Sequence, residues 1–86
     1  MSNQEVINRF KNGMKGQSSN GNLWISCDGT RLFNYGTCIA QRTSEGYIVN
    51  STKYSVSTSK IQNYVRNTLR NYKEVVGIRM GTSYLA

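Results

Sequence analysis

Lys53-Tyr54-Ser55-Val56-Ser57-Thr58-Ser59-Lys60 is the densest run of binding-type side chains in the sequence, with two bases, an aromatic ring and several hydroxyls. It leads directly into an apolar pattern of helical period, so it ends at a helix N-terminus. Free backbone N–H groups and the positive end of the helix dipole suit such a place to an anion. The same hydroxyls are also good helix caps, any of Ser57, Thr58 and Ser59 serving. Beyond them, an advance of about 100° per residue groups Arg66, Arg70 and Lys73 opposite Ile61, Val65 and Leu69, flanked by Asn63 and Asn67. Bases for charge and amides for neutral hydrogen bonds would track a phosphate backbone. Without a ligand, the same residues are the solvated face of an amphipathic helix. The candidate binding residues are therefore Lys53, Tyr54, Ser55, Lys60, Asn63, Arg66, Arg70 and Lys73.

Catalysis lacks its usual parts. The chain has no His, which removes the commonest general base near neutral pH. Its four acids, Glu5, Asp28, Glu45 and Glu74, fall at a helix start, two turns and a helix end, and none forms a spaced pair. Two cysteines do not make a structural zinc site, which takes four ligands. No glycine-rich phosphate loop is present either. A non-enzymatic protein without metal or cofactor is the expectation.

Eleven Lys and Arg against four Asp and Glu give a net charge of +7. A potential of that sign draws in polyanions without choosing among them. The rest of the polarity is uncharged, with ten Asn, ten Ser and seven Thr, which favour turns and caps. No apolar run approaches the ~18 residues of a membrane span. Met1-Ser2-Asn3-Gln4-Glu5 has neither a basic nor an apolar leader region, which points to the cytosol.

The 86 residues make a single domain, 1–86, in which these groups must be positioned. Ser2-Asn3-Gln4-Glu5 fits a capping box, and Val6, Phe10 and Met14, with Ile7 beside them, predict a helix over about 3–14. Four strands follow: Leu23 to Cys27, Thr30 to Tyr35, Thr37 to Arg42 and Tyr47 to Asn50. Asp28-Gly29 signals a type I′ hairpin, Gly36 a second turn, and Thr43-Ser44-Glu45-Gly46 a third. Connections this short require an antiparallel meander. A second helix over about 59–73 carries Ile61, Val65, Leu69 and Tyr72 on one face, and Glu74 to Met80 alternates as a fifth edge strand would. The expected fold is α+β: N-terminal helix, four-stranded antiparallel β-meander, C-terminal amphipathic helix and that edge strand.

Trp24 and Phe33 alternate out of phase with Leu23, Ile25 and Leu32, which puts apolar side chains on both sheet faces. Either a helix covers each face and buries them, or they stay exposed as a platform for unstacked bases. Cys27 and Cys38 fall at opposite strand ends, roughly 16 Å apart at strand rise. A disulfide needs Cα atoms within about 7 Å, so both thiols should be free and largely buried.

Tyr35-Gly36-Thr37-Cys38-Ile39-Ala40, and Lys53 through Arg66 with its Lys-Tyr-Ser and Thr-Ser-Lys steps, resemble a family of small phage and mobile-element proteins of uncharacterised function. The likeness spans about residues 22 to 70, and where members often carry His this chain has Ile61. The resemblance brings no activity. It implies a phage-type protein in the host bacterial cytosol, of the size of anti-defence factors such as anti-CRISPR proteins. The leading expectation is an inhibitor of a host nucleoprotein complex. A DNA- or RNA-binding accessory protein is the alternative, and a sponge for an anionic nucleotide messenger is a third.

Overall fold

In the computed structural model, which describes every residue from Met1 to Ala86, helix α1 spans Asn3–Lys11. The capping box forms: the Ser2 hydroxyl accepts from the Glu5 N–H, and the Glu5 carboxylate accepts from the Ser2 N–H. The backbone bond from Ser2, then its side-chain bond, hold the Glu5 carboxyl below its ordinary range. Val6, Ile7 and Phe10 are buried as their spacing requires. The helix stops short of the expected residue 14, because Gly13 at φ +72° turns the chain and leaves Met14 exposed.

Strands β1 (Leu23–Ile25), β2 (Arg31–Asn34), β3 (Thr37–Thr43) and β4 (Gly46–Asn50) form the expected antiparallel meander. The first turn is not type I′. Asp28 keeps negative φ, and only Gly29 is left-handed. The Asp28 carboxylate instead accepts from Ser26 Oγ at 2.6 Å, Thr30 Oγ1 at 2.7 Å and the Thr30 N–H at 3.0 Å. That side-chain bonding stabilises the loop without positive φ at Asp28. The pair of left-handed residues lies one hairpin later, at Tyr35 (φ 52°) and Gly36 (φ 79°). In β3, Leu32 faces Ala40 while Phe33 faces Cys38, so Ile39 is an extra, bulged residue. The bulge puts both Ile39 and Ala40 into the core.

Helix α2 runs Val56–Thr68, not 59–73, and its cap is Ser55, whose hydroxyl accepts from the Thr58 N–H. The chain leaves the helix at Leu69 in extended conformation, and Asn71 at φ 55° reverses it. Strand β5 (Tyr72–Val75) then lies parallel to β4, so the fifth strand exists but earlier than Glu74 to Met80. Without β5, the backbone groups on the outer edge of β4 would lack partners, and satisfying them outweighs one more helical turn. Gly46 admits the approach: a Cβ there would stand 2.3 Å from the Asn71 carbonyl oxygen. The parallel pairing needs a long crossover, supplied by residues 51–71 with α2. No helix is long and apolar enough to cross a membrane.

Both helices pack on one sheet face. Val6, Ile7 and Phe10 of α1 and Ile61, Val65 and Leu69 of α2 share a single buried cluster with Leu23, Ile25, Leu32, Ala40 and Val49. A helix on each face, one of the two alternatives for Trp24 and Phe33, does not occur; both lie outside the cluster on the opposite side, where Phe33 is nevertheless buried and Trp24 partly so. That side receives the C-terminal tail. Cys38 donates its N–H to the Thr82 carbonyl at 2.8 Å, Leu85 donates to Gln41 Oε1 at 2.7 Å, and Arg31 Nη1 donates to the Ser83 carbonyl at 3.1 Å.

A polar node ties the layers together. Asn50, fully buried, donates to the Cys38 carbonyl at 3.1 Å and to the Tyr54 hydroxyl at 2.8 Å, and accepts from the Thr52 N–H. Gln62 of α2 donates to the carbonyls of Asn50 and Thr52 at 2.7 and 2.9 Å. Asn50→Leu strands several of these partners in the interior, so chemical denaturation should show a loss of about 2–4 kcal/mol. A loss under ~1 kcal/mol would mean that water or neighbours replace the amide without difficulty.

Both thiols are free, as expected, yet only Cys38 is buried; Cys27 is exposed in the first hairpin turn. Burial pushes the Cys38 thiol up to about 11. A thiol reagent at mild pH should therefore modify one cysteine in the folded protein and two after denaturation. Fast modification of both in the native state would contradict this packing.

Candidate binding clefts around Tyr35

The β2–β3 turn places a bulky aromatic residue, Tyr35, in the left-handed region. A bulky residue with φ near +50° is uncommon, and such strain persists only where surrounding bonds hold it. Tyr35 is held on two sides. Its N–H donates to the Asn22 carbonyl at 2.9 Å, and Asn22 Nδ2 donates to its hydroxyl at 3.2 Å. The preceding residue, Asn34, is buried, donates to the same Asn22 carbonyl, and accepts from Thr58 Oγ1 at 2.9 Å. Thr58 in turn is bonded to the Ser55 cap. A continuous hydrogen-bonded chain thus runs from the hairpin tip to the first turn of α2. Tyr35 itself remains 61% exposed.

On each side of this tyrosine lies a cleft. One, of about 420 Å³, is bounded by Tyr35, Thr37, Tyr54, Ser55 and Met80 and is walled mainly by carbon. The other, of about 270 Å³, is polar and bounded by Asn20, Asn22, Ser57, Lys60 and Tyr64. Ring surface, amides and one ammonium group therefore converge within a short stretch of surface. Such a set can stack a planar group and hydrogen-bond its edge while an anion is held beside it.

The structure divides the sequence-derived residues. Tyr54 and Ser55 line the first cleft and Lys60 the second, with Lys53 exposed next to Tyr54. The Tyr54 hydroxyl is already occupied, donating to the Ile78 carbonyl at 2.6 Å and accepting from Asn50, so only its ring is offered. The helix 2 stripe dissolves. Asn63 and Arg66 stay on α2, where Arg66 donates to Asn63 Oδ1 and to Ser51 Oγ. Arg70 lies past the helix end and turns back onto the carbonyls of Asn67 and Leu69. Lys73 is on β5. Arg66, Arg70 and Lys73 share no helical face, because α2 ends at Thr68, before two of the three.

Tyr35, Asn22, Tyr64 and Met80 are not among the candidate binding residues read from the sequence. The one signal was Tyr35-Gly36 before a strand, a turn with an aromatic where Asn or Gly is usual. No group of three His, Cys, Asp or Glu side chains could hold a metal ion. No known protein family, no curated protein and no solved structure matches the chain.

Asparagine tolerates the left-handed region that Tyr35 occupies. Tyr35→Asn should keep the fold and hold or raise its stability by up to about 1 kcal/mol, since relieved strain offsets the exposed hydroxyl bond that is lost. Denaturant melts monitored by circular dichroism check this. A loss above ~1 kcal/mol would make Tyr35 a structural residue rather than a displayed one.

Proposed function

We propose that this protein is a non-catalytic binder of nucleic acid, used in a phage-type setting to obstruct a nucleic-acid-handling complex of the host. The observation that carries the proposal is Tyr35, strained and exposed between two clefts, with Lys60 and Tyr64 beside it on a chain of net charge +7. Charge supplies the sequence-independent attraction to phosphates, and exposed rings and amides engage bases where the strand is single. The phage-type resemblance supports the setting, since a small basic protein at a nucleic-acid-facing surface blocks its use without chemistry.

A second role rests on one feature. The carbon-walled cleft of about 420 Å³ falls within the size range of small-ligand pockets and opens at the Ser55 cap of α2, so it has room for the base of an anionic nucleotide messenger whose phosphate would lie at that helix N-terminus.

Fluorescence anisotropy of labelled single-stranded and duplex DNA and RNA, at low and moderate salt, tests the proposal. Binding should weaken with salt, and Lys53→Gln with Lys60→Gln should flatten the slope by about 0.7 logarithmic units per lost contact on single strands. Arg70→Gln with Lys73→Gln should change the slope less, because those bases lie away from the clefts. No association with any nucleic acid at low salt removes the proposal. Competition by a free nucleotide alone would move the assignment to the messenger role.

A further inference from the structure

The helix-free sheet face carries a second aromatic surface, separate from the Tyr35 clefts. Trp24 and Phe33, paired across β1 and β2, stack with ring centroids 4.3 Å apart and planes 11° from parallel. Phe33 is buried but Trp24 only partly so. Beside them is a cavity of about 500 Å³, bounded by Trp24, Phe33, Asp28, Arg31 and Ser83. Arg31 is unusual in its surroundings. Its guanidinium lies 5.3 Å from the Phe33 ring centre and 4.2 Å from that of Tyr84, and its Nη1 bonds the Ser83 carbonyl. Its Nε is buried with no hydrogen-bond partner, a costly arrangement for a charged donor.

The cavity is polar in a definite direction. Asp28, fixed by Ser26 and Thr30, offers carboxylate oxygen at one wall, where a phosphate is repelled and an exocyclic amine is accepted. Arg31 offers a planar, donor-rich cation near the tail. Tyr84, itself exposed, covers that cation with a ring, and Ser83 occupies its outer donor with a carbonyl oxygen. These two tail residues thus stand where a stacked base and a phosphate oxygen would otherwise be held.

We propose that this cavity takes one base of a single-stranded nucleic acid against Trp24 with the adjoining phosphate on Arg31, and that Ser83 and Tyr84 are the intramolecular occupants it displaces. The inference rests on the nucleic-acid binding proposed above and adds a site and a mask to it. Duplex is excluded, since only an unstacked base reaches an indole set in a sheet face.

Trp24 is the one tryptophan in the chain, so its emission reports this site directly. The probe is a short oligodeoxycytidylate, whose amino group suits Asp28, titrated into the full chain. Quenching of Trp24 that saturates with the anisotropy of the labelled strand is expected, with no quenching by a duplex. Tyr84→Ala should tighten binding roughly two- to fivefold by removing a cation–π contact, and Tyr84→Phe, which keeps the ring, should not. Anisotropy that reports binding while the emission stays constant would overturn this site and leave the nucleic-acid reading standing; silence in both signals removes both. Equal or weaker binding by folded Tyr84→Ala overturns the mask. The native-chain quench decides the site whether or not that variant folds.

Discussion

The architecture hangs on the buried amide pair Asn50 and Gln62. Asn50 stands at the end of β4, where the sheet must hand the chain over to the crossover that carries α2. Its side chain holds β3 through the Cys38 carbonyl and the 51–55 loop through Thr52 and Tyr54. Gln62 holds the same loop from the helix side. Tyr54 and Thr52 pass the connection to the tail, through the carbonyl and the N–H of Ile78. Sheet, helix and tail are joined at one place, and the bonds to the Cys38 carbonyl and from Gln62 to the Asn50 carbonyl lie in the interior, where an unmatched partner is expensive. The start of α2, which borders both clefts beside Tyr35, is fixed next to this node by the Ser55 cap and the Thr58–Asn34 bond.

The sheet faces are built by different means. One is covered by two amphipathic helices over a continuous apolar cluster, the usual way a small two-layer domain buries its core. The other is covered by the C-terminal strap, held by hydrogen bonds to Cys38 and Gln41 and by Arg31 between Phe33 and Tyr84. Apolar burial of the first kind is hard to undo locally. Exposed hydrogen bonds and a cation–ring contact are the weaker kind of closure, which open at low cost. Arg42 does the opposite job on the helix face. It donates to the Phe10 carbonyl near the end of α1 and lies against the Phe10 and Tyr47 rings, placing a cation at a helix C-terminus.

Much of this was legible in the sequence for local reasons. The capping box, the Val6, Ile7, Phe10 stripe, the four-strand meander and the Ile61, Val65, Leu69 stripe all depend on neighbours within a few residues. So does the concentration of hydroxyls and bases around the start of α2, of which Ser55 and Lys60, with Tyr54 beside them, do line the clefts. The absence of His and the excess of bases are likewise properties of composition, fixed before any folding.

Only tertiary structure decided the rest. Helical periodicity continues through Tyr72, yet the chain leaves the helix at Leu69 because β4 has an open edge that residues 72–75 can pair. That long-range pairing breaks the apparent basic stripe, sending Arg70 back onto carbonyls and Lys73 into a strand. The left-handed pair at Tyr35 and Gly36 is held by bonds to Asn22, which lies on the far side of β1 and β2 in the chain. Nothing within a few residues of Tyr35 marks Asn22 as its partner, or Thr58 as the partner of Asn34. Asn22 and Tyr35 meet because β1 and β2 pair, while Asn34 and Thr58 meet because α2 packs over the end of that pair. A sequence determines which residues can bind; the pairing of distant strands determines which of them stand together.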